Sequence, residues 1–122
     1  MKLRIKGNSI RLRLTKTDVA TLANNGYLEE QTNFVQAALT YALTSNNAIR
    51  EMTASFIDNK VLVEVPGSDI KAWPNNDIIG FEATMPLPGG NSLFILIEKD
   101  FACLDHTNED QSDNYENPNK VC

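Results

Sequence analysis

Residues 2–14, KLRIKGNSIRLRL, decide how the chain begins to fold. Charged and apolar residues alternate on both sides of Gly7-Asn8, which is a dipeptide typical of a two-residue β-turn. The turn fixes a register in which Ile5 lies opposite Ile10, Leu3 opposite Leu12, Arg4 opposite Arg11 and Lys2 opposite Arg13. The segment therefore predicts a β-hairpin with one apolar face and one basic face.

Further elements follow this hairpin. Thr15 and Asp18 have the spacing of a capping box, which predicts a short helix that ends at Gly26. Period-two alternation then predicts a strand with Val35, Ala37, Leu39, Tyr41 and Leu43 on one face. Residues 52–57 and 60–65 flank Asp58-Asn59 and predict a second hairpin.

The rest of the ordered part is predicted from turn and cap signals. Ser68 is expected to cap a short helix that runs through Trp73 and stops at Pro74. Residues 78–85 and 92–100 are predicted to be the last two strands. The order is ββα-ββββ-α-ββ, which indicates an α+β domain with two short helices over residues 1–100. Because short links join sequential strands, we expect an antiparallel sheet or small half-barrel of about eight strands.

Composition limits the function. The chain has 122 residues and a net charge of −5, which argues against generic binding to nucleic acid or to a membrane surface. The start has no apolar stretch of the kind a secretory signal needs, so a cytoplasmic location is expected. The longest apolar run, residues 93–97, is far below the roughly 20 residues that span a bilayer.

Residues 101–122 are predicted to form an irregular acidic tail, docked or mobile. The segment has five carboxylates and hardly any apolar periodicity. Ordering a residue costs roughly 1 to 2 kcal/mol, whereas an exposed ion pair returns about 0 to 1 kcal/mol. Charge alone therefore cannot hold the tail, and Phe101, Leu104 and Tyr115 are the candidate apolar anchors.

The basic face of the first hairpin is the leading candidate site. It consists of Lys2, Arg4, Lys6, Arg11 and Arg13. Like charges opposite each other on a sheet are destabilising, so an anion close to this face would be favourable. That anion could be a small ligand, a partner's acidic segment or the protein's own tail, and a face that is simply solvated would look the same.

Metal binding is a weaker interpretation, and no cofactor is expected. Cys103, His106 and Cys122 could supply three zinc ligands, with a carboxylate as the fourth. The alternative, a half-buried Cys103 next to a solvated His106, is favoured because a single Cys-x-x-His has no matching second pair. With no export signal, reduced thiols are expected, although a bridge between the cysteines could form in an oxidising compartment.

The function indicated by these patterns is that of a non-enzymatic binding or accessory domain. An enzymatic alternative is a metal-assisted hydrolase of phosphate esters or polyphosphate, in which Glu64, Glu82 and Glu98 act with Arg4 and Arg11. That alternative requires the three carboxylates to converge near the arginines.

Both ends of the chain carry distinctive sequence. They are KLRIKGNSIRLRL at residues 2–14 and EKDFACLD at residues 98–105, followed by Glu109-Asp110, Asp113 and Asn117-Pro118. With these motifs the chain resembles a family of small bacterial proteins of unknown function, over nearly its whole length. The resemblance implies a bacterial source and a cytosolic setting, and it implies no activity or site residue.

Overall fold

The computed structural model describes residues 1–102 and 111–116. Within them, eight strands form two four-stranded sheets. The first sheet has the order β1-β2-β8-β7, with β1 Lys2–Lys6, β2 Ser9–Leu14, β7 Gly80–Pro86 and β8 Ser92–Lys99. The second has the order β3-β4-β6-β5, with β3 Tyr27–Asn33, β4 Ala38–Asn46, β5 Thr53–Ile57 and β6 Lys60–Pro66.

The predicted α+β class and the order ββα-ββββ-α-ββ are confirmed, but the prediction of antiparallel sheets is wrong because both sheets are mixed. Each sheet consists of two antiparallel hairpins joined by a parallel central pair, β2 with β8 and β4 with β6. Parallel pairing needs a crossover of a dozen or more residues, which residues 47–59 supply between β4 and β6. Short links predict how sequential strands pair, but they do not predict which non-sequential strands lie next to each other.

The turns fix the hairpin registers as expected. In the first hairpin, all four predicted pairs occur, including Arg4 opposite Arg11. In the hairpin of β5 and β6, Phe56 lies opposite Val61, and the turn residues Asp58 and Asn59 both have positive φ. Positive φ at both central positions is the geometry that matches the right-handed twist of the two strands.

Two local predictions fail. Val35 and Ala37 belong to the turn between β3 and β4 and not to a strand face, since the apolar alternation of β4 begins only at residue 38. Ser68 does not cap the second helix, α2 Gly67–Lys71, because β6 continues to Pro66 and places Ser68 inside the first helical turn. The chain leaves α2 at Ala72 and makes a separate 3-10 turn at Trp73–Asn75.

The first helix, α1 Lys16–Asn25, follows its prediction closely. Thr15 accepts a hydrogen bond from the Asp18 backbone N–H, and the Asp18 carboxylate accepts one from the Thr15 backbone N–H. Gly26 ends the helix in the left-handed conformation, with φ of 71°. These two caps satisfy backbone groups that a ten-residue helix would otherwise leave unpaired.

The core lies between the two sheets. Alternate residues of β2, β4, β6 and β8 face inward and most of them are fully or almost fully buried, and Val19 and Leu22 of α1 pack against them. The parallel pairs start at one end of the sandwich, so all four hairpin turns lie at that end, which we name the open end. α1, α2 and the buried Trp73 pack together at the opposite, helical end.

The difference in burial between a turn residue and a core residue gives a prediction about the free energy of unfolding. Val35 is 97% exposed and Val63 is 0% exposed. Val63→Ala should lower the free energy of unfolding by about 2 kcal/mol, because it removes buried methyl groups and leaves a cavity. Val35→Ala should change it by less than about 0.5 kcal/mol. Urea unfolding of both variants measures the difference, and equal losses would contradict the assignment of Val35 to the turn.

Candidate functional site

The basic face lies on the outer side of the first sheet. Alternation along β1 and β2 turns Lys2, Arg4, Lys6, Arg11 and Arg13 away from the core. The structure therefore places all five predicted residues on one surface. The parallel register of β2 with β8 adds Glu98 next to Arg13 on the same side, and Glu82 of β7 lies beyond Leu96.

Glu98 holds two of the five cations. Its Oε1 accepts a hydrogen bond from Arg11 Nε at 2.5 Å and another from Arg13 Nε at 3.0 Å. One carboxylate thus fixes two guanidinium groups and neutralises only one of their two charges. Half-buried charge-assisted hydrogen bonds of this kind are stronger than neutral ones, so both side chains are held in position.

Lys2 is also compensated within the fold. Its Nζ lies 3.2 Å from Oδ2 of Asp100, which is buried at the end of β8. Among the residues that the structure describes, Arg4 and Lys6 form no ion pair, and both are exposed. The free positive charge of the basic face is therefore concentrated on β1, with Arg4 directly opposite Arg11.

The carboxylates required by the hydrolase alternative are not brought together. Glu64 lies on the second sheet, where it accepts hydrogen bonds from Asn46 and Thr53. Glu82 and Glu98 lie on the outer side of the first sheet. In residues 1–102 and 111–116, no three His, Cys, Asp or Glu side chains form a group that could hold a metal ion. Cys103, His106 and Cys122, the predicted zinc ligands, lie outside the described residues.

A buried lysine near the helical end was missed by the sequence analysis. Lys99 is 5% exposed, and its Nζ donates a hydrogen bond to the Asn76 carbonyl at 2.7 Å. The Nζ also lies 4.9 Å from the ring centroid of Tyr115, within cation–π range. Burial lowers the pKa of the Lys99 ammonium, and attraction from Asp77 partly opposes that shift. No local pattern indicates this burial, because Lys99 follows Glu98 at a strand end whose residues are typical of a solvated surface.

Tyr115 anchors the described part of the tail. Its backbone bridges to Phe101, and the two rings lie 5.7 Å apart. The expectation that Phe101 and Tyr115 provide apolar anchoring is consistent with this contact, while Leu104 lies outside the described residues. Residues 111–116 thus lie against the end of β8 and the start of α1, at the helical end.

Asp113 ties the same segment to α1. Its carboxylate accepts hydrogen bonds from the backbone N–H of Thr17 at 3.3 and 3.4 Å, and its carbonyl accepts one from Lys16 N–H. Hydrogen bonding from Thr15 and Thr17 lowers the pKa of Asp113 below its ordinary value. A carboxylate at a helix N-terminus is also favoured by the helix dipole.

The ammonium group of Met1 joins the edges of the two sheets. It lies 2.8 Å from Asp18 Oδ2 and 3.1 Å from Glu30 Oε1, and Tyr41 of β4 donates to the Met1 carbonyl. Burial opposes the charge of this group, but hydrogen bonds and attraction from Asp18 and Glu30 outweigh burial and raise its pKa. These contacts engage both carboxylates with the Met1 ammonium group.

The Asp113 contact gives a pH prediction. Because the folded-state pKa is lowered, the contribution of Asp113 to stability is present above its unfolded pKa, near 4, and is lost as the pH falls through the folded pKa. Wild-type protein should therefore be more stable than Asp113→Asn at about pH 7, and the two should converge at about pH 2 to 3. Urea unfolding across this range measures the difference. A gap that does not change with pH would contradict an ionised Asp113 contact.

Comparison with known proteins identifies a family and no activity. The comparisons with curated proteins and with solved structures found no match. No helix in the described part of the chain is long and apolar enough to cross a membrane. The pattern of a family of unknown function, DUF7009, matches residues 1–119, which is nearly the whole chain. The expected resemblance to a family of unknown function is thereby confirmed, and the chain belongs to the DUF7009 family.

Proposed function

We propose that this chain is a small anion-binding domain, and that it binds an anionic ligand or partner segment at the β1 side of the basic face. The observation that supports this most is the sharing of one carboxylate, Glu98, by Arg11 and Arg13. This sharing orients the two guanidinium groups and leaves one positive charge uncompensated. Arg4 and Lys6, exposed on the neighbouring strand, add two more.

The charge count over the whole outer side of the first sheet agrees with this proposal. Among the residues that the structure describes, five cations on β1 and β2 face three carboxylates, Glu82, Glu98 and Asp100, which is an excess of two positive charges. Glu82 and Glu98 lie on β7 and β8, and Asp100 follows β8 and contacts Lys2, at the opposite end of β1 from Lys6. The field of this face therefore favours an anion at β1 although the chain as a whole is acidic.

The chemistry of the cations indicates the type of ligand. Arg4 lies opposite Arg11, and a like-charge pair in this position costs about 0.2 to 1 kcal/mol. An oxyanion between them removes the repulsion and can accept two hydrogen bonds from each guanidinium. Lys6, two residues along β1, can add a further point charge. Phosphate, pyrophosphate and clustered carboxylates have suitable geometry.

The acidic tail is the internal candidate for the same face, as a competitor of the ligand. Its described residues 111–116 lie instead at the helical end, against α1 and Lys99. Residues 111–116 therefore form no ion pair with Arg4 or Lys6. Neither interpretation requires catalysis, so we propose a binding role and not an enzymatic one.

A charge-matched pair of variants tests the site. Arg4→Gln should weaken pyrophosphate binding by about tenfold, because it removes a bidentate donor. Arg50→Gln is the matched control, since Arg50 is exposed and lies between β4 and β5 of the other sheet. Calorimetric titration at low ionic strength measures both affinities. Unchanged binding by Arg4→Gln, or an equal loss in the control, would contradict the assignment.

Removing Glu98 tests the proposal in the opposite direction. Glu98→Gln keeps the shape of the side chain but releases the charge of both Arg11 and Arg13, so pyrophosphate should bind several-fold more tightly. The variant should also be less stable to heat, because it loses two charge-assisted hydrogen bonds. A weaker affinity for pyrophosphate would show that Glu98 does not compete with the ligand, and would contradict this arrangement of charges.

A further inference from the structure

An apolar groove opens between the two sheets at the open end. Its volume is about 410 Å³, which is within the range of small-molecule sites. The first sheet contributes residues around the Gly7-Asn8 turn and at the start of β8. The second contributes residues at the starts of β4 and β6 and in β5. The lining residues that the argument uses are Ile5, Ala54, Phe56, Met85 and Leu87.

The lining of the groove selects a hydrocarbon. Nearly all of its side chains are aliphatic, aromatic or thioether groups. The side-chain amide of Asn8, one of the few polar groups, already donates to the Ser92 carbonyl at 2.5 Å. A ligand with hydrogen-bonding groups along its length would lose those bonds to water on entering, whereas a hydrocarbon chain would not.

The turns around the groove extend the apolar surface outward. Ile5 is 59% exposed and Phe56 is 64% exposed, and both line the mouth. In the turn between β3 and β4, Phe34 is 63% exposed and Val35 is almost completely exposed. Single exposed apolar residues are ordinary, but Ile5 and Phe56 share the lining of one concave opening, which is typical of a binding site.

The charge next to the mouth indicates the head group of the ligand. Lys6 is exposed and immediately precedes Gly7, which lines the groove. Asp58 and Lys60 are charged residues at the other two-residue turn; both lie outside the groove lining, and Lys60 contacts Tyr27 and Glu29. Lys6 belongs to the outer face, but it is the last residue of β1, so an anionic head group at the rim of the groove would lie close to it with the hydrocarbon chain directed inward.

We propose that the groove binds the hydrocarbon chain of an anionic amphiphile, such as a medium-chain fatty carboxylate, with its carboxylate at Lys6. The choice of an anionic head group rests on the proposed function. The choice of a hydrocarbon chain rests on the groove alone.

A series of fatty carboxylates of increasing length tests whether the groove binds a hydrocarbon chain. Octanoate, decanoate and dodecanoate are titrated into the full chain by calorimetry, each below its micelle concentration. Each added pair of methylene groups should tighten binding by about tenfold, as expected when both groups are buried. Affinity that does not rise with chain length would overturn the proposal.

Variants that fill the groove locate the site. Ala54→Phe and Leu87→Trp should each abolish saturable binding of dodecanoate, because both enlarge a half-buried lining residue. Leu87 lies in the loop between β7 and β8, where a larger side chain is tolerated more easily than in a strand. Ile78→Trp is the control, since Ile78 is exposed near the helical end. Undiminished binding by a folded groove variant, or equal loss in the control, would overturn the proposal.

The head group is tested separately. Lys6→Gln should weaken dodecanoate binding about five- to tenfold and leave dodecanol binding unchanged, whereas Lys71→Gln on α2 should change neither. Equal affinities for dodecanoate and dodecanol in the wild-type protein would overturn the anionic assignment. Failure of pyrophosphate binding with intact, Lys6-dependent dodecanoate binding would contradict only the proposed function at Arg4. Binding to vesicles but to no monomeric amphiphile, or burial of the mouth in a dimer, would overturn the proposal.

Discussion

The parallel pairing of β2 with β8 is the contact on which the rest of the structure depends. It joins residues 9–14 to residues 94–99 through continuous backbone hydrogen bonding and makes one sheet from two hairpins at opposite ends of the sequence. The same pairing buries Leu12 and Leu14 beside Ile95 and Ile97. Without it, the first hairpin would have neither an apolar partner strand nor a carboxylate beside its arginines.

This pairing also creates the electrostatics of the basic face. In the parallel register Arg13 lies next to Glu98, and the adjacent Arg11 reaches the same carboxylate. One carboxylate between two guanidinium groups is a stable arrangement that leaves one positive charge uncompensated. Among the described residues, Glu98 forms ion pairs with Arg11 and Arg13 of β2, and neither Arg4 nor Lys6 of the edge strand β1 pairs with it. The position of Arg4 and Lys6 at the edge is thus what makes an anion site possible there.

The two sheets contact each other at both pairs of edges. One pair of edges is joined where Met1 contacts Glu30, and the other where the Ala54 N–H donates to the Met85 sulfur. The helices cover one end and the hairpin turns surround the other. A half-closed sandwich of this kind has a filled core near the helices and an apolar groove near the turns, and it places that groove next to the cations of β1.

Turns and helix caps could be predicted from the sequence, but the pairing of distant strands could not. Gly7-Asn8 and Asp58-Asn59 determine hairpin registers because a two-residue turn leaves the flanking strands one way to pair. The capping box at Thr15 and Asp18 likewise predicts the start of α1 from local sequence. The parallel pairs were not predicted, since no local signal records which distant strands meet. For the same reason Glu98 could not be recognised as the shared partner of Arg11 and Arg13, and the burial of Lys99 by Tyr115 depends on the folded tail.

Val35 shows a different kind of failure. Its position continues the alternation of Leu39 and Leu43, yet it lies in a turn, because four residues are used to reverse the chain. Apolar periodicity predicts burial only for residues that lie within the strand, and β4 begins at Ala38, after Val35. The exposed Phe34 and Val35 are therefore part of the open end and not of the core.

The most direct test of the proposed anion site is a heteronuclear NMR titration of the full chain with pyrophosphate. The arrangement of charges predicts saturable shifts that are largest at the side-chain and backbone signals of Arg4, Lys6 and Arg11, with little change at Lys16 and Lys99. Shifts centred on Lys16 and Lys99, or small shifts spread over every exposed lysine and arginine, would contradict a defined anion site on β1.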